Sequence, residues 1–276
     1  MDRSQFDGDG PPSAATLAAE VRNEPTLGGH VFADMSGRAA LITGAASGIG
    51  RASAIAFAAA GVSVALVDID TDGLEDTAAI VKATGQRAEV FMADVTDLRA
   101  VTAAVEDAAG VFGRLDAAHN NAGVPGPYVP LDEYEEDDFM RVLQVDLVGV
   151  WRCMRAEIRY MRTQRSGAIV NTSSMLGGAA MPDNSAYIAA KHGVDGLTRA
   201  AALELGGTGI RVNAIAPGVT RTRMTSGVSD ELLRRVPLAR IAEPEEIAAA
   251  AVWLCSPAAS YITGSVLVAD GGWLAG

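Results

Sequence analysis

From Arg38 onward, short β-branched runs alternate with alanine-rich stretches of helical composition, and no other feature limits the fold as much. The strand-like runs fall roughly at Ala39–Thr43, Val62–Asp68, Ala88–Met92, Leu115–His119, Gly167–Ser173, Ile210–Ala214 and Ser265–Val268. Helix-like stretches separate them, among them Ser47–Ala60, Ala100–Phe112, Asp137–Arg162 and Ala186–Leu205. The strands are apolar on both faces, so both faces need covering, and crossover helices provide that cover for a parallel sheet. The expected fold is therefore one doubly wound α/β domain with helices on both sides of the sheet. A chain of 276 residues, 49% hydrophobic and 20% charged, can bury such a core. No internal repeat and no linker interrupts the region after Arg38.

Residues 1–36 read differently. Gly8, Gly10, Pro11 and Pro12, then Pro25, Gly28 and Gly29, break regular structure and leave one short helical piece at Ala14–Val21. This stretch is expected to be an extension, with the folded domain spanning 37–276. The start lacks the basic and apolar segments of a secretory signal, and no run approaches ~20 uninterrupted apolar residues. A soluble, cytoplasmic protein is expected, without a membrane partner. A net charge of −12 argues against nucleic acid, an anionic membrane or an acidic protein as partner. Cys153 and Cys255 stand far apart in apolar contexts and fit buried thiols better than a disulfide or metal framework. No cluster has metal-ligand spacing, so no metal is expected.

Two motifs carry chemistry. The first is Thr43-Gly44-Ala45-Ala46-Ser47-Gly48-Ile49-Gly50, a glycine-rich turn from the first strand into the first helix. Its glycines suit a tight turn and close approach of backbone to a phosphate, and the helix N-terminus offers unpaired N–H groups. Asp68, at the end of the second strand, can accept hydrogen bonds from both hydroxyls of an adenosine ribose and repel a 2′-phosphate. Ser47 brings no positive charge to attract one, so NAD is favoured over NADP. The competing reading is that Asp68 caps the helix starting near Thr71.

The second motif is Ser174 followed by Tyr187 and Lys191. Four residues apart on a helix, Tyr187 and Lys191 are neighbours on one face. Interconverting an alcohol and a carbonyl moves one hydride and one proton, and the nicotinamide handles only the hydride. A free tyrosine titrates near ~10. A nearby ammonium lowers that value, so Tyr187 can act as base in oxidation and acid in reduction. Ser174 can hold the substrate oxygen. The competing readings are a helix-surface Tyr–Lys pair and a serine that merely ends a strand, with Ser173 as an alternative to Ser174.

The spacing Gly-x-x-x-Gly-x-Gly, with Asn120-Asn121-Ala122-Gly123, Ser174…Tyr187…Lys191, Pro217-Gly218 and Asp270-Gly271-Gly272 in that order, resembles the short-chain dehydrogenase/reductase family from about Gly37 to the end. The resemblance implies a seven-stranded sheet and selects Ser174 over Ser173. It places Asp94 and Val95 beside the adenine and Asn121, Ala122 and Gly123 along the adenosine ribose. Val219 and Thr222 would hold the carboxamide, and Lys191 the nicotinamide ribose. It also implies a homotetramer, with Asp137–Arg162 and Ala186–Leu205 in one two-fold interface and the Trp273 tail in another. One position departs from the family pattern: Asp146 stands where Asn is usual. It would lie within water-bridged reach of Lys191, unless it faces bulk water or pairs with Arg152.

His119–Gly123, Ala190–Gly193, Ala251–Leu254 and Ala269–Trp273 look most like dehydrogenases of alicyclic alcohols and ring diols. The expected reaction is reversible oxidation of a secondary, alicyclic or hydrophobic alcohol to a ketone. The alternative is a 3-oxoacyl-thioester reductase of the same fold, against which Asp68 and the acidic net charge both count. Thr222–Val236, between the Pro217-Gly218 turn and the next helix, is expected to be a substrate lid.

Overall fold

The structure, a computed structural model, describes residues 35–225 and 233–276. The Ala14–Val21 helix expected in the extension lies outside the described residues. So do Ser226–Leu232, the middle of the expected lid.

Seven strands form one parallel sheet in the order β3-β2-β1-β4-β5-β6-β7. They are β1 Ala39–Thr43, β2 Ser63–Asp68, β3 Ala88–Met92, β4 Ala117–Asn120, β5 Gly167–Thr172, β6 Ile210–Pro217 and β7 Val266–Ala269. The helices that position the site are α1 Gly48–Ala59, α2 Thr71–Ala83, α3 Leu98–Phe112, α4 Glu136–Leu143, α5 Val150–Gln164, α6 Ser185–Glu204 and α7 Pro244–Cys255. β1 is flanked by β2 and β4, with Ile42 in register with Leu66 on one side and His119 on the other. The strand order reverses there, which opens a crevice beyond the strand ends.

Two cores sandwich the sheet. One joins α1, α2 and α7 to it through Phe57, Leu66, Leu74, Ile215 and Ile247. The other joins α3, α5 and α6 through Leu41, Leu115, Met161, Ile169 and Val212. Met35, counted from the sequence as part of the extension, is fully buried in the first core, so packing of the domain begins at least two residues earlier than Gly37.

Three expected boundaries move. β4 begins at Ala117, and Asp116 just before it ties β1 down, its carboxylate accepting from the Ala39 N–H at 2.9 Å. β6 runs on to Pro217, three residues past Ala214, because pairing with β7 continues to Pro217↔Ala269. The stretch expected as a single helix over Asp137–Arg162 is interrupted by a π-helical turn, Gln144–Gly149. That turn admits an extra residue into the helix and rotates its side chains, a distortion common at functional sites. Gly149 lets it sit tightly: a Cβ there would lie 2.9 Å from Val95 Cγ2.

Candidate active site

The crevice beside β1 and β4 is a cleft of about 840 Å³. At one end, the turn after β1 is built for close backbone approach. Gly44 has φ +67° and its Cβ would lie 2.8 Å from Asn121 Nδ2; a Cβ on Gly50 would lie 2.0 Å from the Gly44 oxygen. Gly44, Ser47, Gly48 and Ile49 line the cleft, while Gly50 supports the turn from below. The Ser47 side chain makes no cap to α1, so the first-turn N–H groups face the cleft without that partner. A phosphate-bearing ligand fits this cradle, and a side chain on it would not.

Asp68 also lines the cleft. Its Oδ2 accepts from the Ala46 N–H at 3.1 Å, and its Oδ1 from Ile69 and Asp70 N–H at 2.7 and 3.1 Å. The cap of α2 is Asp70, whose side chain accepts from Gly73 N–H at 3.0 Å. Asp68 is thus oriented by backbone at the mouth of the cleft rather than used as a helix cap. Asp94, Val95, Asn121, Ala122, Gly123, Pro217, Gly218 and Thr222 also line it, with Met224 and Thr225 from the first part of the expected lid. Val219 differs. Its side chain packs with Met175, Leu176, Val236 and Trp273 and lines a smaller neighbouring cavity instead.

At the inner end stand Ser174, just after β5, and Tyr187 and Lys191, on α6. Tyr187 is half-buried, with Ser174 close enough to act on its phenol. Lys191 Nζ lies 5.3 Å from the centre of the Tyr187 ring and donates to the Thr172 carbonyl at 3.0 Å. Burial pushes the Tyr187 phenol up, and the Asp146 carboxylate adds to this; Lys191 and Ser174 work the other way without cancelling it. Burial pulls Lys191 down, but Asp146 and Tyr187 together carry it above its ordinary value.

Asp146 corrects the expectation of a water-bridged contact. Carried inward by the π-helical turn, it is fully buried, and its Oδ2 lies 3.3 Å from Lys191 Nζ. Its Oδ1 accepts from Val124 N–H at 2.8 Å. Arg152, the other partner considered, donates to Gln144 Oε1 at 2.9 Å instead. Burial raises the Asp146 carboxyl, and Lys191 opposes that shift. Gly123 passes so close that a Cβ there would lie 3.2 Å from Asp146 Oδ2.

Several polar residues to which the sequence reading gave no individual role are buried around this site. His119 bridges Ser53 and Thr172, and burial lowers its imidazole to about 4. Glu157 on α5 accepts from Asn120 Nδ2 at 3.0 Å, and burial pushes its carboxyl up to about 8. Asn120 also donates to Asn171, which donates to Thr198 on α6. The available signal was strand alternation, which sends the side chains of Asn120 and Asn121 to opposite faces. Among the described residues no cluster suits a metal ion, and no helix is long and apolar enough to cross a membrane.

A dinucleotide cradle joined to a Ser–Tyr–Lys constellation on one parallel sheet defines an NAD-linked oxidoreductase acting on CH–OH groups. The family model described as enoyl-(acyl carrier protein) reductase matches residues 44–274. Cis-4-hydroxycyclohexanecarboxylate dehydrogenase of Sinomonas cyclohexanicum is 42% identical over 251 residues, covering 90% of this chain and 99% of the relative. The 2,5-dichloro-2,5-cyclohexadiene-1,4-diol dehydrogenase of Sphingobium indicum is 41% identical over 252 residues, 88% of this chain and 100% of the relative. Among solved structures, levodione reductase superposes with a TM-score of 0.85 at 39% identity, covering 87% of this chain and 98% of that one. The chain belongs to the short-chain dehydrogenase/reductase family.

Proposed function

We propose that the protein interconverts a secondary alicyclic or otherwise apolar alcohol and its ketone, with NAD rather than NADP. The observation that carries this reading is the convergence of Ser174, Tyr187 and Lys191 at the inner end of a cleft whose mouth holds Asp68. The turn Gly44–Gly50 would hold the pyrophosphate and Asp68 the adenosine ribose. Asp94, Val95, Asn121, Ala122 and Gly123 would flank the adenosine. Pro217, Gly218 and Thr222 would hold the carboxamide end, together with backbone of Val219. When bound, NAD⁺ supplies the hydride acceptor and a positive charge within the cleft.

Ser174 holds the alcohol oxygen against the Tyr187 phenol. Tyr187 takes the hydroxyl proton in oxidation and returns it in reduction. Lys191 stabilises the phenolate, and Asp146 holds Lys191 charged. An apolar wall of Met175, Leu176, Met181 and Leu274 beside Tyr187 suits the hydrocarbon face of a ring, and the two relatives named above both act on ring alcohols.

The same reading takes residues 1–34 as an extension outside the catalytic domain, 35–276 as that domain and 222–236 as the lid. It takes the assembly as a cytoplasmic homotetramer. Exposed Trp151 on α5 and Leu203 on α6 support a helical interface. Trp273 is buried within its own chain and offers a second interface little of its ring. Light scattering tests the assembly. A screen of cyclic, aliphatic, steroid and sugar alcohols with NAD⁺ and NADP⁺, followed by absorbance of the reduced cofactor, tests the activity. Turnover of cyclic alcohols with NAD⁺ is expected, and activity confined to 3-oxoacyl thioesters with NADPH would overturn the reading.

A further inference from the structure

A chain of hydrogen bonds, buried at its His119 end, runs beneath the glycine turn, and its direction can be derived from one end. The Thr43 carbonyl can only accept, so the Asn121 amide nitrogen faces it, at 3.2 Å. Asn121 Oδ1 then faces Thr172 Oγ1 at 3.3 Å, and the one hydroxyl proton of Thr172 is donated to it. Thr172 Oγ1 must therefore accept from His119 Nε2, 2.9 Å away. His119 is fully buried and neutral, with its imidazole lowered to about 4, so one ring nitrogen donates and the other accepts. Nε2 is the donor, and Nδ1 accepts from the Ser53 hydroxyl of α1 at 3.0 Å.

Both ends of this chain matter to the site. The Asn121 amide nitrogen is the atom that a Cβ on Gly44 or on Gly50 would meet at 2.8 Å. The backbone N–H groups of Asn121 and Ala122 meanwhile donate to Thr43 Oγ1 at 2.9 and 3.1 Å. Thr172, one link away, accepts Lys191 Nζ on its carbonyl at 3.0 Å. We infer that His119, held as the Nε2–H tautomer, is a positioning residue. Through Thr172 it fixes the Asn121 amide against the glycine turn and so sets the affinity of the cofactor cradle. Neither Tyr187 nor Ser174 depends on it directly, so its loss acts on cofactor binding more than on the chemical step.

The inference rests on the NAD reading of the cleft, and the test separates the two. NADH binding to the full chain is titrated by fluorescence for the unaltered protein, His119→Leu and His119→Gln. If the unaltered protein does not bind NADH, the reading of the cleft fails. If it binds, His119→Leu should weaken Kd and raise KM for NAD⁺ by about 5–10-fold, the worth of one buried hydrogen bond, with kcat changed less than 2-fold. Glutamine, with a donor and an acceptor on one amide, should restore most of the affinity. Equal affinities for all three proteins, or equal losses in both variants, would overturn the inference. A measurement on the unaltered protein covers the case in which His119→Leu does not fold. The chain has three histidines, and the long-range proton–nitrogen spectrum should show one held as the Nε2–H form, its signal absent from His119→Gln. A protonated Nδ1 at that residue would refute the assignment.

Discussion

The two halves of the sheet hold their parts of the site by different means. On the β1–β3 side the work is done by backbone: a turn with glycines where Cβ atoms would collide, free N–H groups, and one carboxylate oriented by three N–H groups. On the β4–β6 side it is done by ionisable side chains taken out of water. His119, Asp146 and Glu157 are fully buried, Lys191 is nearly so, and Tyr187 is half-buried. A backbone site depends on shape and on what is packed behind it. A site of buried ionisable groups is tuned by every charge and hydrogen bond around it. Substitutions in the first half should therefore alter which cofactor binds, and those of Tyr187, Glu157 and Asp146 in the second should alter rate, stability and pH dependence; His119, which reaches across to Asn121 through Thr172, should act on cofactor affinity instead.

The largest separation is expected at Tyr187. Tyr187→Phe removes the proton carrier and should lower kcat by about 10²–10⁴-fold. NADH affinity should stay near that of the unaltered protein, because no cradle contact is lost. A variant that keeps a tenth or more of kcat would break the comparison, since the proton would then travel by another group.

Glu157 sharpens the comparison through stability. Its carboxyl lies at about 8 in the folded protein against an ordinary 4.5, so the folded state retains a proton that the unfolded state has lost. Stability from this group is complete below the unfolded value, falls as pH rises between the two values, and is lost above about 8. Glu157→Gln keeps an acceptor for Asn120 and removes the titration. Denaturant unfolding at pH 6 and 9 should show the unaltered protein losing stability relative to the variant, by on the order of a few kcal/mol. Parallel losses in the two proteins would remove Glu157 from the account.

Asp68→Ala probes the other half. Removing a carboxylate at the mouth should weaken NAD⁺ and relieve repulsion of a 2′-phosphate, narrowing the ratio of kcat/KM for the two cofactors by about 10-fold or more. Its folding and the pH profile of kcat should not change. A shifted pH profile would show that the halves are not separable.

The same contrast explains what was legible in the sequence. The glycine turn and Asp68 could be read because a backbone site imposes residue types at fixed local spacing. Tyr187 and Lys191 could be read because one helix carries both. Asp146 was noticed but not located, because its contact with Lys191 depends on a π-helical turn that no local pattern marks; a regular helix over Asp137–Arg162 presents a different face. Glu157 and His119 could not be read at all. Each depends on partners from other elements, Asn120 for one and Ser53 with Thr172 for the other, and a lone buried acid or histidine has no spacing to betray it. The strand alternation located the sheet, whereas the end of β6 followed from its pairing with β7.

Asp146 gives the smallest expected effect and the finest test of the second half. Its carboxylate lies 3.3 Å from Lys191 Nζ and helps hold the Tyr187 phenol high. In Asp146→Asn the amide oxygen can keep the bond from Val124 N–H, so the fold and the π-helical turn should persist. Two shifts follow from losing the charge. Tyr187 loses a raising influence and falls. Lys191 also loses one, but it keeps its bond to the Thr172 carbonyl, which favours the ammonium form. The phenolate thus forms at lower pH, and the acidic limb of the oxidative pH–rate profile should move down. Because Asp146 acts from behind Lys191, the shift should be about one unit, ~1.4 kcal/mol. The maximal rate should change little, because no group that touches the alcohol has been altered. An unmoved limb would mean that Lys191 alone sets the base, and a limb moved upward would mean that Lys191 has lost its charge with its partner.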